Sequence, residues 1–183
     1  ENIMNRKFDF NDLSPIPCVI SDVRSRKDIN IMDLEGKLPL IVSPMDTVVD
    51  EQNYKIFQEL GFHVCIPRGF NDSLKIPEST FVSYGLDEIE NKIQKKEPLP
   101  FRVLIDVANG HSIRVIEIAE TIKKIYGSNI ELMVGNIANP LTYKVYAQIG
   151  VDYVRCGIGA GHACTTSANA SIHYPMASLI QEI

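Results

Sequence analysis

The sequence predicts an α/β fold built on a parallel sheet, and three observations carry that prediction. Nearly continuous apolar runs alternate with stretches of helical periodicity, through six βα units in succession. Such runs suit strands covered by helices on both faces. Polar, glycine-rich or reactive residues gather at the carboxyl end of five of the six runs. Parallel barrels draw their active sites from the carboxyl ends of several strands, whereas an open doubly wound sheet concentrates its site at one switch point. Five loaded ends favour a (β/α)8 TIM barrel, of which about six βα units are present.

The elements follow in order. "LPLIVSP" (38–44) has the pattern of a buried strand, and "EQNYKIFQEL" (51–60) that of a helix. Gly61 ends that helix, as a glycine after a last helical turn commonly does. "FHVCIP" (62–67) and "TFVSYG" (80–85) are the next strands, and "LDEIENKIQKK" the helix after them. "FRVLIDV" (101–107) is the strongest strand pattern in the chain. Over 112–126 apolar residues recur at helical spacing, at Ile113, Ile116, Ala119 and Ile122. "IELMVGNI" (130–137) is a fifth strand. The helix after it has Asn139 as N-cap and Pro140 in its first turn. "DYVRCGI" (152–158) is the sixth strand, and "YPMASLIQEI" starts a last helix. Residues 1–37, with "FDFNDLSPIP", read as an N-terminal arm and extended segment, and 38–183 as the partial barrel.

Composition narrows the function. The formal charge of −5 gives no general electrostatic attraction to nucleic acid or an anionic membrane. No apolar run reaches the roughly 18 residues that span a bilayer, and the polar N-terminus lacks a secretory pattern. Cys18, Cys65, Cys156 and Cys164 show no CxxC spacing. They read as free thiols of a reducing compartment, which places the chain in the cytoplasm. Cys18 and Cys65 read as structural and Cys156, on a strand, as packed.

The loaded strand ends are "SPMD" (43–46), "PRGF" (67–70), "DVANGHS" (106–112), "GNIANP" (135–140) and "GIGAGHACTT" (157–166). The last is not a dinucleotide fingerprint, because its spacing is GxGxG rather than GxGxxG and it follows the last strand. Its glycines let backbone groups converge on a ligand, amides on an anion or carbonyls on a cation. Cys164 in that loop reads either as a nucleophile of lowered pKa or as an idle thiol. Asp106 ends an apolar strand, where a carboxylate is costly unless paired or hydrogen-bonded. It either caps the following loop or binds a ligand amide or hydroxyl, and Asn136 has the same two readings. His111 and His162 are candidate acid–base groups or merely solvated loop histidines. Asn109–Gly110 reads as a turn.

Taken together, "FDFNDLSPIP", "SRKDI", "LPLIVSPMDTV", "DVANGHS", "GNI" and "GIGAGHACTT" resemble the IMP dehydrogenase/GMP reductase family in order and approximate spacing. The resemblance covers 8–183 and leans toward GMP reductase. It implies a (β/α)8 barrel, usually tetrameric, acting on purine nucleotide monophosphates with a nicotinamide cofactor. By resemblance, Cys164 is the nucleophile that attacks C2 of the purine to form the thioimidate E–XMP*. Thr166 is its partner in handling ammonia or water. The carbonyls of Gly159, Gly161 and Cys164 hold a monovalent cation, commonly K+. Asp106, Val107, Ala108 and Asn136 surround the nicotinamide, with Ile158 and Gly159 on the same side. Ser25 and Arg26 fall near the adenosine end of the cofactor, and Ser43 and Met45 line the nucleotide pocket.

The resemblance implies one of two reactions: GMP to IMP with NADPH, or IMP to XMP with NAD. "DVANGHS", "CTT" and the absence of room for a regulatory CBS pair are reductase-like. "SPMDTV", Arg155 and Arg68, where the reductase pattern has a lysine, are dehydrogenase-like. Six strands are present where the barrel has eight. The absent part would carry the usual phosphate-binding loops and the glutamate that pairs with Thr166. The expectation is therefore a fragment or split chain completed by a C-terminal segment or second chain, within a homo- or hetero-oligomer. A non-catalytic nucleotide-binding subunit is the reading from a different class.

Overall fold

The computed structural model describes residues 6–70, 76–159 and 172–183. They fall into two compact units, one of Pro15–Ser83 and one of Tyr84–Ile183 together with the N-terminal stretch through Ser14. Each unit repeats the strand–helix alternation read from the sequence.

In the Pro15–Ser83 unit, β1 (Ile41–Val42) and β2 (His63–Ile66) pair in parallel, and β2 pairs in parallel with β3 (Phe81–Tyr84). The helix α1 (Tyr54–Glu59) lies between β1 and β2 in the chain and is shorter than its apolar pattern suggests. Asp50 and Asn53 explain the late start. Their side chains accept from the backbone amides of Gln52, Asn53 and Asp50, so this stretch forms a side-chain-closed turn instead of a first helical turn. Gly61 follows the helix at φ +85°. Val49, Tyr54, Val64 and Ile66 form the local core, with Val42, Phe57, Phe70 and Ile76 packed against it. Cys65 is buried with its thiol 3.4 Å from the Ser83 hydroxyl, as a structural cysteine should be. Cys18 is exposed, so its expected structural role is not borne out: the arm around it buries no side chain.

The second unit has the longer strands. β4 (Arg102–Asp106), β5 (Glu131–Ile137) and β6 (Tyr153–Cys156) pair in parallel in that order. Val103, Leu104, Ile105, Leu132 and Val134 are fully buried, which is why these runs show no polar alternation. In the chain α2 (Leu86–Gln94) precedes β4, α3 (Ile113–Tyr126) lies between β4 and β5, and α4 (Pro140–Ile149) between β5 and β6. Asn139 caps α4 by accepting from the Leu141 amide at 2.8 Å, with Pro140 in the first turn as its sequence requires.

The buried face of α3 differs from the expected one. Val115, Ile118, Ala119 and Ile122 are buried, whereas Ile113 is 67% exposed. Both sets follow helical spacing, but only the first supplies the i, i+3, i+4, i+7 stripe wide enough to cover a sheet. Ile113, the first helical residue, projects beyond it.

A last helix, α5 (Met176–Glu182), is held by the N-terminal stretch. Asp9 accepts from the Met176 amide at 2.7 Å and lies 3.1 Å from the His173 imidazole. Phe8 and Ser178 exchange two hydrogen bonds, amide to hydroxyl at 2.8 Å and amide to carbonyl at 3.1 Å. Lys7 pairs with Glu182. Residues 7–9 are thus tied to a helix more than 160 positions away.

The Met176 amide, aided by His173, holds the Asp9 carboxyl below its usual value. A carboxylate with a depressed folded pKa stabilises the fold above the unfolded value of about 3.9 and loses that contribution as pH falls through the lower folded value. Hydrogen exchange at 176–179, corrected for intrinsic rates, should stay slow down to about pH 4 and rise below it. Asp9→Ala should show the fast exchange at neutral pH.

Candidate functional site

The strand register builds the site. Asp106 lies opposite Gly135 in the β4–β5 pair, and Gly135 lies opposite Arg155 in the β5–β6 pair. The three residues form one row across the carboxyl ends of three parallel strands. Strands stand about 4.8 Å apart, so Arg155 must reach over the middle strand to meet Asp106. It does so: its Nη1 donates to Asp106 Oδ1 at 2.7 Å, with the two side chains 27% and 21% exposed. The crossing depends on the missing side chain at Gly135. A Cβ there would lie 2.4 Å from Arg155 Cβ and 2.7 Å from its carbonyl oxygen.

After Gly135 the β5–β6 register shifts, with Ile137 opposite Cys156. Asn136 is thereby released from the ladder, as the extra residue of a bulge is. Its amide donates to Val107 O at 2.5 Å and its side-chain Nδ2 to Gly157 O at 2.9 Å. Gly157 in turn donates to Ile137 O at 2.7 Å. So Asn136 ties the turn after β4 to the start of the "GIGAGHACTT" segment. Gly157 and Gly159 have φ of +121° and +79°, a region open mainly to glycine. Ile158 between them is buried.

The turn after β4 sits directly on β5. Gly110 donates to Asn136 O at 2.8 Å, and a Cβ on it would lie 2.8 Å from both that oxygen and Ile137 Cγ2. The Tyr146 hydroxyl of α4 donates to Gly110 O at 2.5 Å, and burial pushes that phenol up to about 12. His111 is half-buried, and both of its ring nitrogens have partners. Its Nε2 accepts from the Ala138 amide at 3.0 Å and its Nδ1 lies 3.1 Å from Asn109 Oδ1.

At the opposite ends of the strands the polar groups close on the scaffold itself. Arg102 and Glu131 pair at 2.7 Å, and Asp152 accepts from Lys123 and from the Leu132 amide. Polar residues there pair within the scaffold; in parallel barrels generally it is the carboxyl ends of the strands that carry the active site.

Asp106, Val107, Ala108, Asn136, Ile158 and Gly159 all belong to this second unit, at adjoining strand ends. Ser25, Arg26, Ser43 and Met45 belong to the other unit. There Ser25 caps a short 3-10 turn through Lys27, and Ser43 and Met45 are exposed just after β1. Gly161, His162, Cys164 and Thr166 lie outside the described residues. Among the described residues no three His, Cys, Asp or Glu side chains could hold a metal ion, and no helix is long and apolar enough to cross a membrane. Burial raises the Cys156 thiol, which suits a packed cysteine and not a nucleophile.

Residues 101–183 match a family model described as the IMP dehydrogenase / GMP reductase domain. A GMP reductase of Staphylococcus epidermidis is 30% identical over 178 residues, covering 87% of this chain and 53% of that protein. A GMP reductase of Streptococcus agalactiae is 30% identical over 174 residues, covering 87% and 52%. These matches bear out the resemblance to the IMP dehydrogenase/GMP reductase family that the motifs carry. It spans about half the length of the curated relatives it matches. Among solved structures, an inosine 5'-monophosphate dehydrogenase from Legionella pneumophila superposes with a TM-score of 0.77. It is 24% identical, and the match covers 96% of this chain and 58% of that one. That likeness shows the expected fold, an α/β partial (β/α)8 barrel. Arg155 and Gly135 are the candidate-site residues that sequence reasoning missed. The signal was a carboxylate ending an apolar strand, which demanded a partner, but only the register reveals which cation lies in its row.

Removing one partner of a partly buried pair leaves the other charge less well compensated. Arg155→Met should cost about 1–2 kcal/mol in urea unfolding, discounted for the exposure of the pair. Asp106→Asn in the Arg155→Met background should cost measurably less than in the wild type. Gly135→Ala should destabilise by about 1–3 kcal/mol or more, because the neighbour it meets is a Cβ and backbone and not a flexible side-chain tip.

Proposed function

We propose that this chain supplies the cysteine-bearing part of a purine nucleotide oxidoreductase of the GMP reductase type. The observation that carries the reading is the row Asp106–Gly135–Arg155, closed by Asn136 onto Gly157. It gathers a carboxylate and a carboxamide at the entry to the segment that bears Cys164. The similarity to GMP reductases at 30% identity supports the same reading.

In this reading, Cys164 attacks C2 of GMP, ammonia leaves, and a thioimidate links the enzyme to the purine. NADPH supplies the hydride that reduces C2, and expulsion of the Cys164 thiolate gives IMP. Thr166 positions the departing ammonia. Asp106, through the oxygen geometry set by Arg155, binds hydroxyls on the cofactor side, as a carboxylate at a strand end binds ribose. Val107, Ala108, Asn136, Ile158 and Gly159 line the nicotinamide. Ser25 and Arg26 serve the adenosine end, and Ser43 and Met45 the nucleotide. The carbonyls of Gly159, Gly161 and Cys164 would hold a monovalent cation such as K+. The strand 7 and 8 loops that grip phosphate come from a further segment, on this polypeptide or another. The greater length of the matched relatives supports that requirement.

Arg155 before the glycine loop and Arg68 after β2 favour a second reading, in which NAD oxidises IMP to XMP. Arginine does not shuttle protons as lysine does. GMP-dependent NADPH oxidation and IMP-dependent NAD reduction, measured side by side on the complete assembly, separate the two. The first should proceed and the second should not. Cys164→Ala should lower the rate by about a thousandfold or more, while nucleotide binding persists. Turnover retained by Cys164→Ala would remove the nucleophile. Absence of both reactions would leave a nucleotide-binding subunit.

A further inference from the structure

We propose that His111 is a positioning residue for the dinucleotide: as a neutral imidazole it pins the turn after β4 onto the loop after β5, and its protonation releases both. The inference rests on the reading that Asp106 and Asn136 face the cofactor. The geometry decides the protonation state. The Ala138 amide can only donate, so His111 Nε2 must accept and carries no proton. Nδ1 then carries the proton and donates to Asn109 Oδ1, which also accepts the His111 backbone amide at 3.1 Å. Both ring nitrogens are thus committed, one to each loop.

These loops are the ones that hold the candidate cofactor residues. Ala138 is two positions after Asn136, whose carbonyl takes the Gly110 amide and whose side chain reaches Gly157. Asn109 follows Ala108 and lies three positions after Asp106. A change at His111 therefore reaches both candidate contacts without His111 touching either.

Protonation opposes this arrangement directly. An Nε2–H would face the Ala138 N–H, donor against donor. Burial disfavours the charged ring and lowers its pKa. The charged and titratable groups of the surrounding elements have partners of their own: Asp106 of β4 with Arg155 of β6, Tyr146 of α4 with Gly110 O, and Arg114 of α3 with Asp87 and Glu90 of α2. The folded pKa lies below the unfolded value, so the folded state binds fewer protons as pH falls through that window. The brace is complete at neutral pH and lost on acidification.

The test measures NADPH affinity against pH in the complete assembly, with hydrogen exchange at the Ala138 amide as a readout that needs no cofactor. His111→Ala should weaken NADPH binding about 3- to 10-fold at neutral pH, the effect of one hydrogen bond, and speed exchange at Ala138. His111→Gln keeps a side-chain oxygen able to accept from Ala138 but cannot titrate. It should recover most of the lost affinity and lack the acid-induced weakening that the wild type shows relative to it. Wild-type affinity in His111→Ala, or identical pH profiles for wild type and His111→Gln, would overturn the proposal. Failure of the wild type to bind a dinucleotide at any pH would instead sink the cofactor reading. The brace would then be overturned only by unchanged Ala138 exchange in His111→Ala.

Discussion

An arginine on one strand must cross a second strand to reach an aspartate on a third, and the described site depends on that crossing. Parallel pairing sets Asp106, Gly135 and Arg155 at one level. Any side chain at the middle position would collide with Arg155. With glycine there, the guanidinium lies over the strand and closes on the carboxylate. The pair lets an apolar strand end in a charge, and it holds three strand ends in fixed relation. The bulge that begins at Gly135 then frees Asn136 to turn toward Gly157. One vacancy thus organises both the charge pair and the amide link to the glycine loop.

The same economy appears in the turn after β4. Asn109, Gly110 and His111 each make a contact that reaches beyond their own turn or closes it. Gly110 permits backbone contact, and His111 spans the remaining distance. The loops that would meet a cofactor are therefore joined to one another by hydrogen bonds. Polar groups at the other strand ends are spent on pairs that hold the scaffold. This asymmetry between the two ends is what a barrel with chemistry on one face requires.

Much of the fold was legible because its signals are local. Gly61 after α1 and Asn139–Pro140 at the start of α4 act through neighbouring backbone groups, and each was found where its sequence places it. The buried face of α3 was less legible. Two sets of residues share the helical period, and the choice between them depends on how the helix rests on the sheet. Cys18 illustrates the reverse case: it reads as structural in the sequence, and the tertiary structure leaves it exposed. His111 reads in the sequence as an acid–base candidate or a solvated group, because its partner Ala138 lies 27 positions away.

Residue order alone determined the alternation of strands and helices, the glycines and caps that end them, and the motifs that carry the family resemblance. These follow from short-range sterics and from periodicity, which a linear chain displays openly. Tertiary structure decided which residues share a row. The Asp106–Arg155 pair spans 49 positions and the Asp9 contacts more than 160. Such pairs form only after register and docking bring distant segments together, because register is a property of two strands and is written in neither alone.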